Sequence, residues 1–207
     1  MRQKLEYAVW KLCNKTFLFY ESCYKIFNRL HVIDDFIYLK KSVYAGPERV
    51  FFDGTRLQKG DAIGVIHFNN RYLARIHTEL PEKYGRRAAF AFGYSLVRSM
   101  RNLSRQLTED PLFNDLEVIS GITWFKPHGN KIGFESEPLA PGRKKDLLKN
   151  HFRILLYAMF PHLAKRENDR LEPHQFWLTK NRLLGSVTEK NHVAKRLTEH
   201  NQPRIAV

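Results

Sequence analysis

Residues 59–76, KGDAIGVIHFNNRYLARI, carry the reading on which the fold class turns. The pair Gly60-Asp61 opens a segment from Asp61 to Phe68. Its apolar centre, Ala62 to Ile66, reads as a buried β-strand. Asn69-Asn70 ends the strand, because asparagine tolerates left-handed backbone and stops strands. His67, Asn69, Asn70 and Arg71 are thereby delivered together at the end of a rigid element, which is a common way to place chemistry on a frame.

Upstream, two further β segments are expected. Residues 36–44 are aromatic and β-branched, with Gly46-Pro47 punctuating their end. Residues 50–52 follow and are closed by Asp53-Gly54, a strong turn dipeptide. Residues 3–30 have helical periodicity: Leu5, Val9, Leu12, Thr16, Tyr20, Cys23, Phe27 and Leu30 step by four and three along one face. Lys4, Lys11, Lys15, Lys25 and Arg29 surround that stripe, and Trp10, Phe17, Phe19 and Tyr24 widen it. Such a helix suits either the cover of a β-sheet, through this stripe, or a membrane interface.

Downstream, residues 83–107 predict a long helix whose buried stripe is Ala89, Phe92, Leu96, Met100, Leu103 and Leu107, ended by Asp110-Pro111. Arg98, Arg101 and Arg105 share another face, as phosphate contacts or as a solvated surface. Residues 117–125 and 131–137 read as a hairpin around Pro127-His128-Gly129-Asn130. Residues 144–160 predict a helix with Leu148, Phe152, Leu155 and Met159 inward; Arg143, Lys144 and Lys145 at its start would be stabilised by an anion. Residues 164–170 read as a charged linker. Phe176-Trp177-Leu178 is a short apolar element, and Thr179 is placed to cap a brief helix through Leu184. The expected architecture is α+β, a mainly antiparallel sheet of about five strands packed by an N-terminal helix and two longer helices. Residues 1–30 form the amphipathic helix, 31–185 a single domain, and 186–207 a polar tail too poor in apolar residues to fold.

Lys and Arg number 35 against 21 Asp and Glu, a formal charge of +14 that attracts nucleic acid, acidic lipid or anionic glycan. Cys13 and Cys23 lie about 15 Å apart along one helix, beyond the roughly 7 Å limit of a disulfide, so free thiols in a reducing compartment are expected. Charges interrupt every apolar run at the N-terminus, which argues against a signal peptide or a membrane span. A cytoplasmic location follows as the expectation, with the inner face of the membrane as a peripheral site.

GxGxxG, Walker, HExxH and GxSxG motifs are absent, as is a His-x-x-x-His pair, so no cofactor or metal is expected. Helix-turn-helix and ribonucleoprotein signatures are absent too, so nucleic-acid binding rests on charge alone. Within these bounds His67 is the candidate general base and Glu135 its orienting carboxylate. An ion pair between Glu135 and an arginine of the long helix is the structural alternative. Asn69, Asn70, Arg71 and His128 are the candidate ligand contacts, with Arg98, Arg101 and Arg105 as a second cationic group.

Three blocks together resemble the YkoP-like family of bacterial domains. They are Lys59-Gly60-Asp61 through Ile66-His67-Phe68-Asn69-Asn70 with Leu73, Gly121-Ile122-Thr123 through Ile132-Gly133-Phe134-Glu135, and Trp177-Leu178-Thr179 with Leu183-Leu184. The resemblance spans residues 30 to 185 or so. It implies a module of the kind found joined to polysaccharide deacetylases, and with it an accessory role that binds an anionic ligand in envelope-glycan or lipid-linked glycan metabolism. The metal-ligating Asp and paired His of the deacetylases are missing, so that activity does not carry over. A small hydrolase or transferase using His67, and a nucleic-acid binder, are the alternatives.

Overall fold

A computed structural model describes residues 2–76, 88–124, 133–159 and 171–186. In chain order these contain α1 (Arg2–Phe27), β1 (His31–Val32), β2 (Ile37–Val43), β3 (Arg49–Val50), β4 (Arg56–Leu57) and β5 (Ala62–Phe68). There follow α2 (residues 70–76), α3 (Ala88–Glu109), β6 (Val118–Thr123), β7 (Glu135–Pro138), α4 (Arg143–Met159), β8 (His174–Thr179) and α5 (residues 180–186). One six-stranded sheet has the order β1-β2-β5-β6-β8-β7, and β3 with β4 forms a separate hairpin around Asp53-Gly54. The expected α+β class holds, with a mixed sheet. All its pairings are antiparallel except β5 with β6, which run parallel. A parallel neighbour needs a long crossover, and the chain between β5 and β6 supplies it with α2 and α3.

The expected hairpin between residues 117–125 and 131–137 does not form. β8 lies between β6 and β7 and pairs with both. The residue types explain the order. Phe176, Trp177 and Leu178 are all buried, so β8 needs cover on both faces. β7 reads Glu-Ser-Glu-Pro, and charge with a proline suits an edge strand. Thr179 caps α5 as expected, its hydroxyl accepting from the Arg182 N–H at 3.3 Å.

Register divides the sheet into two faces. Tyr38 opposes His67, Lys40 opposes Val65, and Val65 is level with Ser120, so these side chains share one face. Leu39, Ile66 and Ile119 point the other way and pack with Met100, Leu103 and Leu107 of α3. Asp34 ties α3 to the sheet edge. Its carboxylate accepts from Ser99 Oγ at 2.7 Å and Asn102 Nδ2 at 3.1 Å, and from the Phe36 and Ile37 N–H groups at 2.9 and 3.1 Å. Burial pushes the Asp34 pKa up, but these four donors outweigh it and hold the carboxyl below its usual range. Asp34→Ala strands four donors and should cost about 2 kcal/mol in a urea melt. Asp34→Asn, which keeps an acceptor oxygen, should cost less.

α1 and α4 lie over the other face. Tyr24 of α1 sits 5.5 Å from the His67 ring, Lys40 Nζ donates to Asn28 Oδ1 at 2.7 Å, and Asn14 Nδ2 donates to the Ala158 carbonyl of α4 at 2.9 Å. The stripe expected to face inward does so only in part: Leu12, Thr16, Tyr20 and Phe27 are exposed, Cys23 and Leu30 are half-buried, and the side chains of Leu5 and Val9 lie outside those described. Phe17 is buried. The inward stripe is Asn14, Phe17, Glu21, Tyr24 and Asn28, whose polar members bond to three neighbours: Asn14 to α4, Glu21 to Asn70 of α2, and Asn28 to Lys40 of the sheet.

Candidate functional site

A cavity of about 410 Å³ lies between α1, α4 and this face of the sheet. Tyr38, Val65, His67 and Ile122 form its floor, Tyr20, Glu21, Tyr24 and Lys25 come from α1, and Leu148 and His151 from α4. Strand alternation fixes the floor, since Tyr38 and His67 are register partners on adjacent strands. Asn69 then turns the chain. It caps α2 by accepting from the Tyr72 N–H at 3.3 Å, and α2 delivers Asn70 to the cavity wall.

Burial dominates the electrostatics. Together with the nearby Lys40 charge, it pushes the His67 pKa down to about 4, so the imidazole is neutral at physiological pH. Its Nε2 is buried and has no hydrogen-bond partner among the described residues. Glu21 is its counterpart across the cavity lining. Oε1 accepts from Asn70 N at 3.0 Å and Asn70 Nδ2 at 2.9 Å, while Oε2 is buried and unpartnered among the described residues. Burial raises the Glu21 pKa, and the Asn70 donors with the Arg71 and Lys25 charges offset only part of that rise. Burial also raises Tyr24 and Tyr38 and lowers His151. Burial thus disfavours charge along the lining, and the Lys25 ammonium sits 4.4 Å from the Tyr38 ring centroid.

The structure brings together only some of the residues singled out from sequence. His67 and Asn70 line the cavity. Asn69 is occupied as a cap and by donating to the Asp35 carbonyl at 2.8 Å. Arg71 is exposed, with its guanidinium donating to Ser22 Oγ at 3.0 Å and the Leu18 carbonyl at 3.3 Å, so it clamps α2 to α1. Glu135 is not near His67. It stands on β7, three strands from β5, accepting from Arg182 Nη1 at 3.3 Å and the Phe52 N–H at 3.0 Å. Its ion-pair partner thus comes from α5 and not from the long helix. Arg98, Arg101 and Arg105 are exposed on α3, which covers the opposite face of the sheet. His128 lies outside the described residues, as do the linker at 164–170 and all but the first residue of the tail.

Glu21, Tyr24, Tyr38 and His151 were missed by reading apolar periodicity. The available signal is Asn14, Phe17, Glu21, Tyr24 and Asn28, a polar-aromatic stripe at steps of three and four that runs beside the more apolar one. No cluster of three or more His, Cys, Asp or Glu able to hold a metal occurs among the described residues, nor a helix long and apolar enough to cross a membrane.

An α+β domain with a mixed six-stranded sheet, and a polar-aromatic cavity beneath two of its helices, is the class that fold and site define. The model of the YkoP domain matches residues 10–187, and the chain belongs to that family. No curated protein and no solved structure matches the chain at a significant level.

Proposed function

We propose that this YkoP domain is a binding module that holds one sugar-sized, polyhydroxylated group in the cavity, of the kind found in envelope glycans. The observation that carries this reading is the pair of buried atoms without partners among the described residues, Glu21 Oε2 and His67 Nε2, on two residues that line the same cavity. Each such atom costs roughly 1–3 kcal/mol when left dry, and a ligand hydroxyl recovers that cost. The volume falls within the usual range for small-ligand sites, and tyrosine rings beside planar polar groups suit a sugar ring, with faces for its C–H groups and acceptors for its hydroxyls. Lys25 is the cation that an acidic or phosphorylated sugar would meet. Calorimetric titration with neutral, amino and acidic monosaccharides and short envelope-glycan fragments is the test. Saturable binding is expected, weakened roughly tenfold or more by Tyr24→Ala or Glu21→Ala. A flat heat profile for every sugar refutes the reading.

A second reading, an enzyme acting on the same ligand, is favoured by two opposed shifts within one cavity lining. Burial raises the Glu21 pKa and lowers that of His67, and general acid–base chemistry uses such a separation of titrating groups. His67 keeps the role first assigned to it, with Glu21 in place of Glu135. This reading predicts turnover that Glu21→Gln abolishes while leaving sugar affinity within about threefold. Binding without turnover leaves the module reading alone.

A further inference from the structure

The outer face of α1 carries a stripe that the fold leaves uncovered among the described residues. Leu12, Phe19 and Ile26, at successive heptad positions, are 67%, 71% and 75% exposed, and Phe27 beside them is 84% exposed. At 100° per residue this stripe is diametrically opposite Glu21, the centre of the inward face. Tyr20 sits 6.5 Å from the His151 ring of α4, and on that helix Leu147 and Ile154 are also exposed. The border is basic. Lys11, Lys15 and Arg29 flank one side of the α1 stripe, and Arg143 and Lys144 open α4. None of the five has an acidic partner among the described residues, and the acidic residue of α1 between Lys11 and Phe27 is Glu21, which is turned inward and bonded to Asn70.

We propose that the outer face of α1 and α4 docks the domain on a bilayer surface rich in anionic lipid. Long apolar side chains enter the interface at one level while lysines and arginines along the flank meet the headgroups, the arrangement of a peripheral amphipathic helix. A second copy of the chain fits less well, because two such faces would bring their uncompensated cations together. The cavity lies on the inner side of the same two helices, so a docked domain holds it one helix diameter, roughly 10 Å, from the membrane surface. This inference does not depend on the sugar reading.

Co-sedimentation of the full chain with phosphatidylcholine vesicles, with and without about one third phosphatidylglycerol, tests it. The chain is expected to bind only the anionic vesicles, and to release as salt is raised. Phe19→Glu with Ile26→Glu should lower the bound fraction roughly tenfold or more, and Lys11→Glu with Lys15→Glu should lower it several-fold. All four sites are exposed, so circular dichroism should be unchanged; Leu147→Glu on α4 is a second probe of the same face. Three results overturn the proposal: no sedimentation with either vesicle, sedimentation unaffected by the Phe19 and Ile26 changes, or concentration-dependent dimerisation abolished by them. Sugar titration of the double variant should match the native chain, so loss of docking and failure of the cavity reading are separable.

Discussion

His67→Leu is expected to stabilise the free protein by about 1–2 kcal/mol near pH 7 while abolishing ligand binding, because an apolar residue of similar volume removes a buried nitrogen that has no partner. The same change should flatten the acid limb of the stability curve. In the native chain His67 has a folded pKa of about 4 against an ordinary value of 6.5, so between these values the unfolded chain binds more protons than the folded one. Its contribution is fully present above pH 6.5 and is lost as pH falls through that window, for a total of roughly 3 kcal/mol. His151, also lowered by burial, acts with the same sign. Glu21 acts oppositely: its raised folded pKa gives stability below 4.5 that is lost as pH rises through the folded value. Urea melts between pH 4 and 8 should therefore show the native chain losing stability on acidification and His67→Leu losing much less. A variant less stable than the native chain at pH 7 would mean that the imidazole is a structural element and not a ligand group.

Gly121→Val should destabilise the fold strongly without altering the cavity of the molecules that remain folded. A Cβ at Gly121 would stand 2.3 Å from Phe176 Cζ and 2.6 Å from its Cε1, far inside van der Waals contact. Phe176 is buried and is held by Phe134, 5.3 Å away between ring centroids, so it has little room to withdraw. Overpacking of this kind costs about 3 kcal/mol, and Gly121→Ala somewhat less. The register of β6 with β8 sets Gly121 opposite Phe176, which explains why a strand interior carries a residue with poor strand propensity. Thermal melts measure the loss. The ligand affinity of the molecules that remain folded should be within about twofold of the native value, since Gly121 alternates with the cavity-lining Ile122 and faces away from it.

Much of the frame was legible. Gly60-Asp61 and Asn69-Asn70 bracketed β5 to within a residue, Met100, Leu103 and Leu107 proved to be the buried stripe of α3, and Phe152 and Leu155 faced inward on α4. These succeed because turn chemistry and a single apolar stripe act locally. Two things were not legible. The placement of β8 between β6 and β7 is a competition for a central position, decided by a strand some 40 residues after β7 and invisible to a local turn signal. The orientation of α1 was misread because that helix has two periodic stripes. The more apolar one was assigned to the core, whereas the protein buries the one whose Glu21, Tyr24 and Asn28 answer Asn70, His67 and Lys40. His67 was found because it ends a strand. Its partner was sought in Glu135 because that residue also sits in a strand, and the strand order then set the two apart.

The central claim is that Glu21 and His67 wait in one cavity for a polar ligand. Titration of envelope sugars against a uniformly nitrogen-labelled chain, followed at His67 Nε2, the Asn70 side-chain amide and the arginine side chains, tests it most directly. The prediction is a saturable shift at His67 and the Asn70 side-chain amide, with Arg98, Arg101 and Arg105 unmoved. Saturation with no change at His67, or a response confined to the α3 arginines, would contradict it.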